Sequence, residues 1–133
     1  MILGFDPGRD KCGVAVLDIN KKILYNKVVD SDKAIALIDE LIKKYNPLKI
    51  VMGNQTTSKQ WEQRLKDNLN LYINLQLVDE RNSTVEARQK YWEMYPPKGL
   101  TRLIPKGLRI PPRPVDDIVA IILIERYLNK NDQ

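Results

Sequence analysis

The sequence predicts an α/β domain in which a mixed β-sheet carries helices on both faces. Three short apolar segments near the start are separated by tight turns, which predicts a three-stranded antiparallel meander. Further strand-like segments then alternate with segments of helical periodicity, and strands joined through helices pair in parallel. The 133 residues are enough for one domain, residues 1–133, with a sizeable buried core.

The first helix follows directly after the meander. Apolar side chains recur there at the spacing of one buried helical face. Asp30 or Ser31 is placed to cap the start of this helix, and Asn46-Pro47 ends it. The strands of the meander are predicted at residues 2–5, 13–17 and 23–29. The apolar face of the helix comprises Ala34, Ile35, Ile38, Leu41 and Ile42.

The second half of the chain alternates strands and helices and then enters a proline-rich loop. Ser83 and Glu86 stand three residues apart, which is the pattern of a capping box at a helix start. Pro114 suits the first turn of the final helix. The loop holds six of the eight prolines. The predicted strand, helix, strand, helix, loop and final helix are at residues 48–52, 58–70, 73–78, 83–95, 96–114 and 115–128.

The composition excludes several kinds of chemistry. The chain has no histidine, which removes Ser-His-Asp and Cys-His catalysis and histidine metal sites. Its only cysteine, Cys12, cannot form an internal disulfide or a cysteine zinc site, so a cytoplasmic location is predicted. The longest apolar run, residues 118–124, is too short to span a bilayer. Acid–base or metal chemistry must therefore come from carboxylates.

The net charge of +5 is concentrated in one segment, residues 88–114, called the basic segment below. It holds seven basic residues and one acid, for a net charge of +6, whereas the remainder holds 15 basic and 16 acidic residues. Such a segment is either a loop kept in solution by its charge or a surface that binds phosphates. Its basic residues are Arg88, Lys90, Lys98, Arg102, Lys106, Arg109 and Arg113.

Three places along the chain offer carboxylates for a site. Asp6 ends an apolar strand that is expected to be central, Asp79 and Glu80 end another inner strand, and Asp116 and Asp117 begin the last helix. Each place also has a structural explanation: a hairpin cap, the start of a turn, and acids favoured by a helix dipole. Strand parity does not choose between Asp79 and Glu80.

Carboxylates from these three places are expected to converge on one edge of the sheet. Clustered acids repel unless cations bridge them, and oxygen-only ligands suit Mg²⁺ or Mn²⁺. Without metal, their pKa values are expected to be raised by mutual repulsion. Gly8 and Gly13 would let the backbone turn sharply and approach a phosphate closely.

Three blocks of sequence resemble the YqgF/RuvX nucleases and the related RuvC Holliday-junction resolvases. They are Leu3-Gly4-Phe5-Asp6-Pro7-Gly8 with Gly13-Val14-Ala15-Val16; residues 78–88, which include Asp79-Glu80-Arg81; and Val115-Asp116 with residues 120–123. The resemblance implies a ribonuclease H-like fold and metal-dependent cleavage of phosphodiesters. It assigns the catalytic and metal-binding roles to Asp6, Glu80 and Asp116.

The chain departs from this family pattern in a longer proline-rich loop and at two further places. Arg9 replaces a small hydroxyl residue, and Gly53-Asn54-Gln55-Thr56 stands where the family has Gly-Leu-Pro. Arg81 and Arg88 are placed either to hold a phosphate or to pair with Glu86. The residues predicted to bind nucleic acid are Arg9, Lys11, Arg81, Arg88, Lys98, Arg102, Lys106, Arg109 and Arg113.

These observations predict an Mg²⁺- or Mn²⁺-dependent endonuclease that acts on structured nucleic acid. The resemblance implies either precursor ribosomal RNA or branched DNA as the substrate. One alternative is a non-catalytic nucleic-acid-binding module of the same fold. A phosphotransferase of the actin and sugar-kinase type fits poorly, because such enzymes need a second domain.

Overall fold

The five strands form one mixed sheet in the order β3-β2-β1-β4-β5. The structure is a computed structural model that describes residues 1–69 and 74–131. β1 pairs antiparallel with β2 and parallel with β4; β2 and β3 are antiparallel, and β4 and β5 are parallel. The predicted meander with added parallel strands is confirmed. The strands are β1 (Ile2–Asp6), β2 (Lys11–Leu17), β3 (Ile23–Asp30), β4 (Lys49–Gly53) and β5 (Asn74–Val78).

Four α-helices cover the two faces of this sheet. The alternation along β1 explains the two layers, because Leu3 and Phe5 join one buried cluster whereas Ile2 joins the other. The first cluster includes residues of α1 and α2, and the second includes residues of α3 and α4. Helices on both faces are thus confirmed. The helices are α1 (Ala34–Tyr45), α2 (Ser58–Asn68), α3 (Ser83–Met94) and α4 (Asp116–Asn131).

The structure corrects the predicted position of β5 and the predicted ends of some elements. β5 is an outermost strand of the sheet, whereas an inner strand was predicted. A short 3₁₀ turn (Ser31–Lys33) precedes α1. The predicted end of the second helix, Asn70, and the predicted start of the fifth strand, Ile73, lie outside the described residues. None of the helices in the described part of the chain combines the length and apolar character needed to cross a bilayer.

The predicted capping box before α3 is wrong. Asn82 precedes the helix in the left-handed region, with φ of 61°, and the backbone N–H of Glu86 bonds to the Asn82 carbonyl. The side chain of Glu86 pairs instead with Arg126 of α4 at 2.8 Å. The Glu86 carboxylate therefore forms a long-range ion pair and does not cap the start of α3.

The proline-rich loop, residues 96–114, contains two short 3₁₀ helices, Gly99–Leu103 and Lys106–Leu108. It contains no α-helix in its fully described length, as its prolines predict. Most of its side chains are exposed to solvent. The loop runs directly into α4.

Candidate active site

Asp6 is the last residue of β1, the central strand, and its side chain is only 9% exposed. Strand alternation places it on the sheet face that α4 covers. Both neighbouring strands have a glycine beside it. Gly13 pairs with Asp6 on β2, and Gly53 follows the partner of Phe5 on β4. The centre of this sheet edge therefore has one carboxylate flanked by two positions without side chains.

Gly13 leaves the space that the first turn of α4 occupies. A Cβ atom at position 13 would lie 1.8 Å from the backbone oxygen of Asp116. Because this space is open, the carboxyl groups of Asp6 and Asp116 reach hydrogen-bond contact. The expectation that Gly13 makes room for a phosphate is therefore wrong, since α4 takes that room.

Gly53 has the same role for Glu80. A Cβ atom at position 53 would lie 2.7 Å from Oε2 of Glu80. Glu80 follows the edge strand β5, one strand beyond β4, and its carboxylate lies over the end of β4. From there it interacts electrostatically with Asp6. The structure thus brings Asp6 and Asp116 into contact and places Glu80 within electrostatic reach of Asp6.

Burial raises the pKa of all three carboxyl groups, and repulsion from the other two adds to the shift of Asp6 alone. The pKa of Asp6 is raised to about 8, first by burial and then by the charges of Asp116 and Glu80. Burial also raises the pKa of Asp116, although a hydrogen bond with its own backbone and then one with Asp6 partly offset this. The pKa of Glu80 is raised by burial and then by Asp79. The direction predicted from sequence is found, but the larger cause is burial.

The raised pKa of Asp6 predicts that the metal-free protein loses stability as the pH rises. An unfolded Asp releases its proton near pH 3.8, whereas folded Asp6 holds it to about pH 8. The folded state therefore binds more protons in this window, and the free energy of unfolding falls there by at most about 1.4 kcal/mol per pH unit from this group. Urea titrations in EDTA from pH 5 to pH 9 measure this slope. Asp6→Asn should flatten it; parallel profiles for the two proteins would contradict the assignment.

As placed, the three carboxylates do not form a complete metal cage. Within residues 1–69 and 74–131, no three cysteine, aspartate or glutamate side chains stand close enough together to hold one ion. The pKa of Asp6, raised to about 8, instead keeps its carboxyl group protonated beside Asp116 at neutral pH. Any cation bound here must displace that proton and draw Glu80 inward.

Gln55, in the segment after β4, contacts Asp6 directly. Its Nε2 donates to Oδ1 of Asp6 at 3.1 Å and to the carbonyl of Pro7 at 2.7 Å. The amide therefore fixes the Asp6 carboxyl against the β1–β2 turn. Sequence reasoning recorded Gln55 as a departure from the family pattern but gave it no role. Its place just after a strand that ends at the same sheet edge as β1 is the signal that points to it.

The second acid of α4, Asp117, has a structural partner. It is 2% exposed, and it accepts hydrogen bonds from Arg113 at 3.0 and 3.3 Å and from Asn26 at 2.7 Å. The Arg113 guanidinium also packs against the rings of Tyr91 and Tyr95. This pairing separates the roles of the two neighbouring acids: Asp117 holds the end of the proline-rich loop, and Asp116 faces Asp6.

Arg126, in the third turn of α4, clamps the segment that carries Glu80. Its guanidinium donates to the carbonyls of Asp79 and Arg81, both at 2.7 Å, and to the carboxylate of Glu86. The two carbonyls flank Glu80 on either side. Sequence reasoning missed this residue, because no local pattern indicates a contact with a turn more than forty positions away.

The residues predicted to bind nucleic acid fall into two groups. Arg113 pairs with Asp117, Lys11 pairs with Asp30, and the Arg109 guanidinium donates to the loop carbonyls of Ile104 and Arg102. The second group consists of exposed side chains for which the described residues provide no salt-bridge partner. This group comprises Arg9, Arg81, Arg88, Lys98, Arg102 and Lys106.

A groove of about 580 Å³ opens beside Gln55. Arg9 lines it from the β1–β2 turn, and Arg64 lines it from α2, where its guanidinium stacks over the ring of Trp61 at 4.2 Å. Trp61 itself is buried edge-on against Phe5, so its ring packs in the core. The groove presents two guanidinium groups, and Gln55, which also lines it, links it to the buried Asp6.

Comparison with known proteins gives the same fold. The structure of RuvC from Thermus thermophilus superimposes with a TM-score of 0.52 at 15% identity, covering 92% of this chain and 88% of that chain. This likeness confirms the ribonuclease H-like fold. None of the curated proteins compared with the chain matches it. The sequence profile of the RuvX family, described as Holliday junction resolvase, matches residues 1–130. Because that match spans nearly every residue, the chain belongs to the RuvX family.

Proposed function

We propose that this chain is a divalent-metal-dependent endonuclease that cleaves branched DNA at the edge of the sheet occupied by Asp6, Glu80 and Asp116. The observation that carries the proposal is the contact of Asp6 with Asp116 above Gly13, with Glu80 reaching toward them over Gly53. Burying acids together is unfavourable for the metal-free protein. The glycines at positions 13 and 53 nevertheless leave room for this arrangement, because a side chain at either position would block it. The cluster is better explained by a cationic ligand than by stability.

The donor set suits Mg²⁺ or Mn²⁺. All three candidate ligands are carboxylates, and hard divalent cations prefer such oxygen ligands. Asp6, Asp116 and Glu80 would hold the ions, after Asp6 loses its proton and Glu80 moves inward. When bound, such ions activate water and stabilise the charge on the leaving oxygen.

The remaining residues of the site position these ligands. Gln55 holds Oδ1 of Asp6, so the second oxygen would be available to a cation once Asp6 loses its proton. Arg126 fixes the backbone on both sides of Glu80, so the motion required of Glu80 is confined to its side chain. Arg9 and Arg64 provide positive charge for phosphates of a strand that enters the adjoining groove.

A cleavage assay tests the proposal. A labelled four-way DNA junction, a linear duplex and a structured precursor ribosomal RNA are each incubated with Mg²⁺, with Mn²⁺ or with EDTA. We expect metal-dependent cleavage of the junction, abolished by Glu80→Gln and retained by Asp79→Asn, whose exposed side chain bonds to the Arg81 backbone N–H. Preferred cleavage of the RNA would reassign the substrate. Tight binding without cleavage under every condition would support the non-catalytic module.

The basic segment is expected to set the salt dependence of binding. Each phosphate contact releases counterions, so the logarithm of affinity falls with the logarithm of salt by about 0.7 to 0.9 per contact. Replacing Lys98, Arg102 and Lys106 with Gln should reduce this slope by about 2 to 3. It should raise the KM more than it lowers kcat, because these exposed groups bind without assisting bond cleavage. Titrations at several salt concentrations measure the slope.

The control neutralises three exposed lysines outside the basic segment, Lys22, Lys43 and Lys44, of which Lys43 pairs with Asp39, and should leave the slope unchanged. Arg109 and Arg113 stay in place in both variants, because their guanidinium groups hold the loop and its junction with α4. An unchanged slope in the Lys98, Arg102 and Lys106 variant would show that the basic segment is a solubilising loop and does not bind phosphates.

A further inference from the structure

The proline-rich loop presents a cluster of large apolar side chains to solvent. Four of them are between 70% and 83% exposed: Leu100, Leu103, Leu108 and Ile110, called the apolar tips below. Single exposed aliphatic residues are ordinary on protein surfaces. Four such residues within eleven consecutive positions indicate a surface that interacts with a partner.

The loop that carries the tips is shaped by its own contacts. The Arg109 guanidinium donates to the carbonyl of Ile104 at 2.9 Å and to that of Arg102 at 3.3 Å, which joins the two 3₁₀ helices. Arg113 then fastens the end of the loop to Asp117. The apolar tips therefore project from a segment whose polar groups hold it in place.

The charge around the tips selects the chemistry of their partner. From Lys98 to Arg113 the sequence contains five basic residues and no acid. A partner must offer negative charge together with apolar faces, and a nucleic acid with accessible base faces offers phosphates and bases in alternation.

The position of the loop favours nucleic acid over other anionic partners. Ile110 stands six residues before Asp116, and six residues of extended chain span at most about 21 Å. That is about six base-pair steps of 3.4 Å along one strand. A strand held at Asp116 for cleavage and extending six or more steps beyond it is therefore long enough to reach the tips.

We propose that the apolar tips form a wedge that contacts unstacked bases at the branch point of a nucleic acid while the neighbouring basic residues hold the flanking phosphates. This inference rests on the proposed function and adds how the substrate is selected. In a continuous duplex the base faces are stacked, so inserting an aliphatic side chain requires unstacking. At a branch point the stacking is already interrupted, so the wedge favours branched over linear substrates.

A variant with Leu100, Leu103, Leu108 and Ile110 each replaced by Ser tests the wedge. These side chains are exposed, so folding should be retained, and circular dichroism checks this. We expect the preference for a four-way junction over a linear duplex to fall at least about tenfold. When 2-aminopurine replaces a base at the branch point, its fluorescence change on protein binding should be lost in this variant. The dependence of the logarithm of affinity on the logarithm of salt concentration should stay unchanged. Ile19→Ser with Leu48→Ser, two similarly exposed residues at the opposite edge, is the control and should behave as wild type.

Three outcomes would overturn the wedge. The first is an unchanged junction preference and 2-aminopurine signal in the Ser variant. The second is conversion of a wild-type dimer to a monomer, by sedimentation, with the preference intact, which would assign the tips to a second copy of the chain. The third is loss of binding to phosphatidylglycerol vesicles with the preference intact. If the wild type cleaves nothing, the proposed function fails, and junction binding with 2-aminopurine fluorescence still tests the wedge.

Discussion

Asp6→Asn is expected to lose cleavage activity by about 10³-fold or more while the protein still folds. Removing one ligand from a metal-assisted reaction forfeits several kcal/mol of charge stabilisation, and each 1.4 kcal/mol corresponds to about a factor of ten. Asn has nearly the shape of Asp, and its Oδ1 can still accept the hydrogen bond from Gln55. The loss should therefore lie in the chemical step and not in the fold.

Single-turnover cleavage of a junction at saturating Mn²⁺, with calorimetry on the same preparation, measures both effects. The matched control is Asp79→Asn, which removes a carboxylate of the same type from an exposed position next to Glu80. Activity within a few-fold of wild type in Asp6→Asn would remove Asp6 from the ligand set. Equal losses in both variants would point to a general effect of charge.

Gly13→Ala is expected to damage both stability and activity. The added methyl group would lie 1.8 Å from the oxygen and 2.0 Å from the carbonyl carbon of Asp116, which belong to the backbone and cannot rotate away. The start of α4 must move off the sheet, and overpacking of this kind costs about 3 kcal/mol or more. Cleavage should fail with it, because Asp116 leaves Asp6. Urea denaturation and the junction assay measure the two effects.

Two other glycines provide the comparison. Gly107→Ala, in the proline-rich loop, meets no atom within 4 Å among the described residues and should be neutral in both assays. Gly53→Ala meets the side-chain Oε2 of Glu80, which can swing aside. It should therefore reduce cleavage with little loss of stability. If Gly13→Ala proves as stable as Gly107→Ala, then α4 does not rest on position 13.

Local patterns predicted most of the fold because local physics decides most of it. The apolar run of β1 is buried on both faces of the sheet, and the helical spacing in α1 buries one face of that helix, so the elements and their layers follow from residue order. Asp6 could be placed at the end of the central strand for the same reason.

The details of the site depend on contacts that no local pattern contains. Alternation could not choose between Asp79 and Glu80, because β5 ends at Val78 and the chain then turns. The Asp79 side chain bonds to the Arg81 backbone N–H, which leaves Glu80 to lie over Gly53. The capping box failed because Glu86 has a partner forty positions away. The roles of Gly13 and Gly53 become clear only from the strand register, which places both glycines beside Asp6.

The clamp formed by Arg126 makes α4 a rigid spacer between two parts of the site. Asp116 and Arg126 are ten residues apart on one helix, a distance of about 15 Å along its axis. One end of α4 thus supplies a carboxylate, and a position farther along holds the turn that supplies another. The Glu80 turn is anchored to this buried helix as well as to the edge strand before it. Hydrogen exchange should accordingly show the amides of that turn opening together with α4, even where the outer strand exchanges faster.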